Sequence, residues 1–169
     1  MDIVYYVAAS LDGFIATPDG GIDWLKPFEG GAEDYGYGEF YASVEAVLLG
    51  RKTYEQCLRF PEWPYPGKPY WVFSRASGNT PAKVVAEMRE RGLRRAWLVG
   101  GGKLAAAFLA EGLLTEYIVS VIPVLLGSGI RLFDGPGPKQ DLRLAETKTY
   151  DSGIVQLRYL GSSPSAAIE

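Results

Sequence analysis

Apolar residues in this chain fall in short runs whose spacing alternates between a strand period and a helix period. DIVYYVAAS at 2–10, AVLL at 46–49, YWVFS at 70–74, AWLV at 96–99 and TEYIVSVIPVLL at 115–126 are rich in β-branched and aromatic residues and predict strands. Between them, 33–43, 52–58, 81–92 and 102–111 carry helical spacing, the third opened by Pro81 and closed by Gly92. LDGF reads as a turn, followed by a Gly- and Pro-rich loop to about residue 31. The segment RFPEWPYPGKP at 59–69 is a loop, because its prolines remove backbone donors. LRLAETKTY and GIVQLRYLG, separated by DSG, predict a terminal antiparallel hairpin. The GSG at 127–129 reads as a tight connection before it.

Strands alternating with helices predict a three-layer α/β/α fold: a mostly parallel sheet, helices on both faces, and ligands beyond the carboxyl ends of the strands. At 169 residues with 47% hydrophobic content, one domain over 1–162 is expected, with a flexible tail at 163–169.

Composition narrows the chemistry. A net charge of −3 without a basic tract argues against nucleic-acid partners. No apolar run approaches the roughly 18 residues of a membrane helix. The start MDIVYYVAAS lacks signal-peptide features and Cys57 has no second cysteine to pair with, so a cytoplasmic setting is expected. Histidine is absent, which removes Ser-His-Asp and Cys-His nucleophile systems, an imidazole base and His-containing zinc sites. No metal site is expected. Chemistry in such a chain rests on carboxylates, Tyr, Lys, backbone groups or an organic cofactor.

Two runs break into glycine and then a helix: AVLLGRKTYE at 46–55 and AWLVGGGKLAAAFL at 96–109. A strand that delivers backbone N–H groups and a helix N-terminus to one point builds an anion site, and two such junctions suggest a dinucleotide. Arg51, Lys52, Lys103 and the FSR at 73–75 add positive charge there. Neither junction matches the G-x-G-x-x-G or P-loop pattern.

VAASLDGFIA at 7–16, IDW at 22–24, LLGRKTYE at 48–55, FSR at 73–75, LVGGGKLAAAFL at 98–109 and PVLLGSGIRLF at 123–133 follow one another as in the dihydrofolate reductase-like superfamily. The chain most resembles its branch similar to the C-terminal reductase domain of riboflavin biosynthesis. That resemblance implies a largely parallel sheet of about eight strands, an NADPH-dependent reductase and a homodimer. It further implies that Ala8 and Ala9 meet the nicotinamide carboxamide and that Ile15 packs on the nicotinamide ring. Gly50, Arg51, Lys52 and Thr53 would start a helix against the cofactor phosphates, and Ser74 and Arg75 would hold the 2′-phosphate. Val99, Gly100, Gly101, Gly102, Lys103 and Leu104 would form the second helix start under the pyrophosphate.

For the substrate, expected to be a small nitrogen heterocycle or its sugar adduct, Trp24, Phe28 and Asp12 are candidates. Asp34 is the candidate for the proton, at the position where dihydrofolate reductases carry a carboxylate that contacts the pterin. On a helix starting near residue 33 it would face the pocket, and burial would raise its pKa. Simpler readings compete: glycines after strands also serve as turns, Glu33 and Asp34 suit a helix start, Asp12 suits a turn, and aromatics pack cores. The chain lacks the H-x-E and P-C-x-x-C ligands of the zinc deaminase that accompanies the riboflavin reductase domain, so deamination is excluded. It also carries RFPEWPYPGKPYWVF where those reductases have a D-P-x-L-T-like segment. A dihydrofolate or pterin reductase and a catalytically inactive nucleotide-binding dimer remain the alternatives.

Overall fold

The computed structural model describes residues 1–161, so the tail expected at 163–169 lies outside the described residues. In chain order the elements are β1 (Asp2–Ser10), β2 (Phe14–Ala16), a 3-10 turn (Asp23–Phe28), α1 (Tyr37–Ser43), β3 (Ala46–Gly50), α2 (Arg51–Cys57) and β4 (Tyr70–Phe73). They continue with α3 (Pro81–Glu90), β5 (Arg95–Gly100), α4 (Gly102–Ala110), β6 (Glu116–Ile122), β7 (Ile130–Arg131), β8 (Leu142–Thr149) and β9 (Val155–Gly161).

The main sheet has seven strands in the order β4-β3-β5-β1-β6-β9-β8. Pairs from β4 to β6 are parallel, and β9 and β8 add antiparallel strands at one side. The expected hairpin is therefore present and extends the same sheet. β2 and β7 form a separate two-stranded ribbon.

Strand alternation distributes side chains to two cores. Ile3 and Tyr5 of β1, with Ala46, Leu48, Ala96 and Leu98 of its neighbours, face α3 and α4 through Val84, Val85, Met88, Leu104, Ala105 and Phe108. Val4, Val47, Leu49 and Trp97 face the other way, against Phe40 of α1, Cys57 of α2 and Tyr65 of the 59–69 loop. This is the three-layer arrangement, and truncating a fully buried side chain such as Phe108 to Ala would cost about 3–5 kcal/mol.

Three local expectations change. The helix expected at 33–43 begins only at Tyr37, because side chains ahead of it capture the backbone: Glu33 Oε1 accepts from Tyr35 N–H, and Asp34 accepts from Gly36 N–H and Gly38 N–H. Gly36 sits at φ 76, which holds the chain out of the helix there. β6 stops at Ile122 rather than 126, since Pro123 has no N–H to continue a ladder. The 127–129 connection leads into β7, which pairs with β2, before the hairpin is reached.

Candidate functional site

The parallel strands all end at one edge of the sheet. Register pairs Leu49 with Gly100, Gly50 with Phe73, and Ala8 with Ser120, so both glycine junctions, the start of the 74–75 turn and the end of β1 come out side by side. Helices α2 and α4 begin at this edge, which is where open α/β sheets place ligands.

The sheet splits there. β1 pairs with β5 only as far as Tyr5 and Leu98, yet it pairs with β6 through Ser10 and Ile122. Asp2 N–H donates to Arg94 O, and Ile3 O accepts from Thr115 N–H. Even-numbered residues of β1 thus turn their peptide groups toward β5 and odd-numbered ones toward β6. In the split, Tyr6 O accepts from Trp97 Nε1 at 3.0 Å. Ala8, next in the even set, presents its N–H and C=O to the gap beyond the last β1–β5 pair. Ala9 differs: it is buried, and its peptide groups face β6.

Across the gap lies the Gly100–Gly101 peptide, which is cis. Its glycines are small for different reasons from their neighbours. A Cβ on Gly50 would stand 3.2 Å from Gly100 O, and one on Gly102 would collide with Arg131 O. Packing within the protein is thus reason enough for glycine at 102 and presses on any side chain at 50. Gly101 has an ordinary φ of −97, and a Cβ there would meet only Thr53 Oγ1 at 3.9 Å and Ile15 Cδ1 at 4.0 Å. Both are ordinary contacts, so packing within the protein does not require glycine at 101, and Thr53 and Ile15 border the position. Gly101 caps α4 with no side-chain hydrogen bond, leaving the first N–H groups of that nine-residue helix without intrahelical partners.

Charges expected near phosphates are unevenly placed. Arg51 is paired with Glu55 at 3.2 Å, one turn along α2. Lys52 and Lys103 are exposed. Ser74 closes a turn with Ser77: each side-chain oxygen accepts from the other residue's N–H, at 3.0 and 3.1 Å. Arg75 is exposed on that turn and joins none of the ion pairs among the described residues. Val99 lies where the β3–β5 register shifts and packs on the α1/α2 side, whereas Leu104 is buried on the α3/α4 side.

The candidates on the substrate side are dispersed. Trp24 and Phe28 lie half-buried in the 3-10 turn, and the Trp24 indole N–H is buried without an acceptor. Asp34 is exposed, and its bonds from Gly36 and Gly38 hold its carboxyl below the usual range, which reverses the expected rise. Asp12 accepts from Ser10 Oγ, Leu126 N–H and Gly127 N–H, which also lowers its pKa. Sequence reasoning passed over a polar pair beside Ala8. Gln156, 8% exposed, donates through Nε2 to Ser120 Oγ at 3.1 Å and Tyr35 O at 3.2 Å, and Ser120 is itself 9% exposed. Burial pushes the nearby Tyr6 phenol up to about 12, against a bond from Gln156, so it stays protonated. One polar residue inside each apolar run, YIVSVI and IVQL, was the available signal.

The sequence profile of the RibD C-terminal domain matches residues 68–156, which include β4, β5, α4 and the Ser120–Gln156 pair. This chain belongs to the RibD C-terminal domain family. It is 40% identical over 169 residues to the uncharacterized protein YwjB of Bacillus subtilis strain 168, a match covering 93% of this chain and 96% of that one. A Shewanella sp. PV-4 protein named for riboflavin biosynthesis superposes with a TM-score of 0.86 at 26% identity, covering 96% of this chain and all of that chain. The Thermotoga maritima deaminase/5-amino-6-(5-phosphoribosylamino)uracil reductase shares the fold, with a TM-score of 0.70 at 15% identity. That match covers 95% of this chain and 56% of the Thermotoga protein.

In this RibD C-terminal fold β1 and β5 part after Tyr5 and Leu98, and the Gly100–Gly101 peptide follows on β5. Among the described residues no helix is long and apolar enough to cross a membrane.

Proposed function

We propose that this protein is an NADPH-dependent reductase of the riboflavin-biosynthesis type, acting on a small nitrogen heterocycle or its sugar adduct. The observation that carries the reading is Gly101: a Cβ there would make only ordinary contacts with Thr53 and Ile15, so packing within the protein does not demand glycine, and the residue stands beside the cleft left where β1 parts from β5 ahead of Ala8. A dinucleotide fits that cleft, with Ala8 N–H and C=O meeting a carboxamide and Ile15 against the ring. The α4 N-terminus with Gly100, Gly101 and Lys103 would take the pyrophosphate, helped by Thr53 and the Gly50 to Lys52 junction. Ser74 and Arg75 would receive a 2′-phosphate, since Arg75 is exposed and joins none of the ion pairs among the described residues.

The cofactor supplies a hydride. The chain's own residues orient and exclude water. The Ser120–Gln156 pair offers a fixed hydroxyl and amide beside Ala8 to a heterocycle edge, and Trp24 brings a buried N–H still lacking an acceptor. Asp34, ionised in the free protein, would organise the incoming proton from its place at the start of α1, with Tyr6 remaining a phenol donor. Phe28 would close the slot, and a cytoplasmic homodimer belongs to the same reading. The cleft would serve a dihydrofolate or pterin reductase equally, and a nucleotide-binding dimer would bind cofactor without turnover.

Calorimetric titration with NADPH and NADH tests this. Micromolar NADPH binding with much weaker NADH, followed by turnover in a screen of aminouracils and pterins, is the expected result. Absence of binding by either nucleotide would refute it.

A further inference from the structure

Two segments that are far apart in sequence meet beside the cleft. Residues 10–16 turn out of β1 and carry Ile15 back over Gly101, while 123–132 leave β6 and return as β7. Backbone bonds join them at Leu11 N–H to Val124 O and Leu132 N–H to Gly13 O, both 2.9 Å, and through the β2–β7 ribbon. Gly129 is packed so closely against Ala16 O that no side chain is possible there.

Between these ties, the middle of the 123–129 loop is held by a side chain. Asp12 Oδ1 accepts from Leu126 N–H at 3.1 Å, and Oδ2 accepts from Gly127 N–H at 2.7 Å. Ser10 Oγ donates to Asp12 Oδ1 at 2.6 Å and accepts from Phe14 N–H at 3.0 Å, so the carboxylate and its own turn are locked to each other. A plain turn residue would satisfy backbone within its own turn, as Asp19 does with Thr17 and Gly21. Asp12 instead spends both oxygens on a loop more than a hundred residues away. A cavity of about 310 Å³ opens next to it, bounded by Asp12, Gly13, Phe14 and 131–133.

We infer that Asp12 is a positioning residue that latches the 123–129 loop to the turn bearing Ile15 and thereby sets the nicotinamide end of the cleft. The inference rests on the cofactor reading above. It assigns Asp12 no contact with substrate, in place of the substrate role that the sequence suggested.

The test compares wild type with Asp12→Ala and Asp12→Asn, the latter keeping one acceptor oxygen should the alanine protein fail to fold. Amide exchange at Leu126 and Gly127 is measured alongside calorimetry with NADPH and with 2′,5′-ADP, which lacks the nicotinamide half. Exchange at both amides should rise about tenfold in Asp12→Ala, the scale of a hydrogen bond to a charged acceptor. NADPH affinity should fall several-fold while 2′,5′-ADP affinity holds, and Asp12→Asn should lie between. Unchanged exchange, unchanged NADPH affinity, or equal losses for both ligands would overturn the positioning role alone. Wild-type protein that binds neither ligand would overturn the underlying cofactor reading and the role with it.

Discussion

The two strand-to-helix junctions touch: a Cβ on Gly50 would stand 3.2 Å from the carbonyl oxygen of Gly100. The contact is backbone, which cannot rotate away as a side chain would. Gly50→Ala should therefore destabilise the fold by about 1–3 kcal/mol, read from the denaturant midpoint. Gly101→Ala makes the contrast. The protein accommodates its methyl, so stability should fall by only about 1 kcal/mol, the cost of alanine at a helix N-cap. NADPH affinity should nevertheless fall more than tenfold, and retained affinity would show that the open space at 101 is not a cofactor site.

Arg75 stands exposed on the turn that Ser74 and Ser77 brace, in none of the ion pairs among the described residues. Arg75→Ala should weaken NADPH by about 1.5–3 kcal/mol, the range for a hydrogen bond to a charged group, and leave NADH nearly unchanged. Calorimetry on both nucleotides decides it, and equal losses would remove the 2′-phosphate assignment.

Asp34 accepts two backbone bonds ahead of α1, and its proposed part in proton delivery can be separated from them. Asn can accept only one of the two bonds and Ala neither, so Asp34→Ala should cost about 0.5–2 kcal/mol and Asp34→Asn less. If the carboxylate organises the proton, Asp34→Asn should depress turnover strongly with cofactor affinity unchanged. A variant that turns over normally would leave Asp34 a helix-opening residue only.

At the opposite edge of the sheet, Glu116 is 3% exposed and bridges Arg95 Nη1 at 2.7 Å and Arg158 Nε at 2.6 Å. Burial would raise its pKa, but bonds and charge from the two arginines outweigh it and hold the carboxyl below the ordinary 4.5. Glu116→Gln leaves one acceptor oxygen for two guanidinium groups, of which that of Arg158 is partly solvated, and should cost about 1–3 kcal/mol. A depressed folded-state pKa means the stabilisation is fully present above the unfolded value and is lost as pH falls through the folded one. The gap between wild type and Glu116→Gln should therefore close in acid, which unfolding curves from pH 7 to 3 would detect; a constant gap would contradict the ion network.

Local chemistry made much of this protein readable from its residues alone. Pro81 opening α3, the glycines after AVLL and AWLV, and the DSG hairpin all act over a few positions, so their consequences are visible in sequence. The missed start of α1 shows the limit at short range, because Glu33 and Asp34 have good charges for a helix but used their oxygens on the backbone instead.

By itself, then, the sequence determined the α/β alternation, the glycine-to-helix junctions and the exclusion of histidine chemistry. Only the tertiary structure decided that β5 enters between β3 and β1, which sets Gly100 against Gly50, and that β1 parts from β5 after Tyr5, which leaves Ala8 beyond the end of that ladder. Strand order and the place where a ladder ends depend on which faces bury best against distant helices. That choice is made by packing across the whole chain and leaves no periodic mark along it.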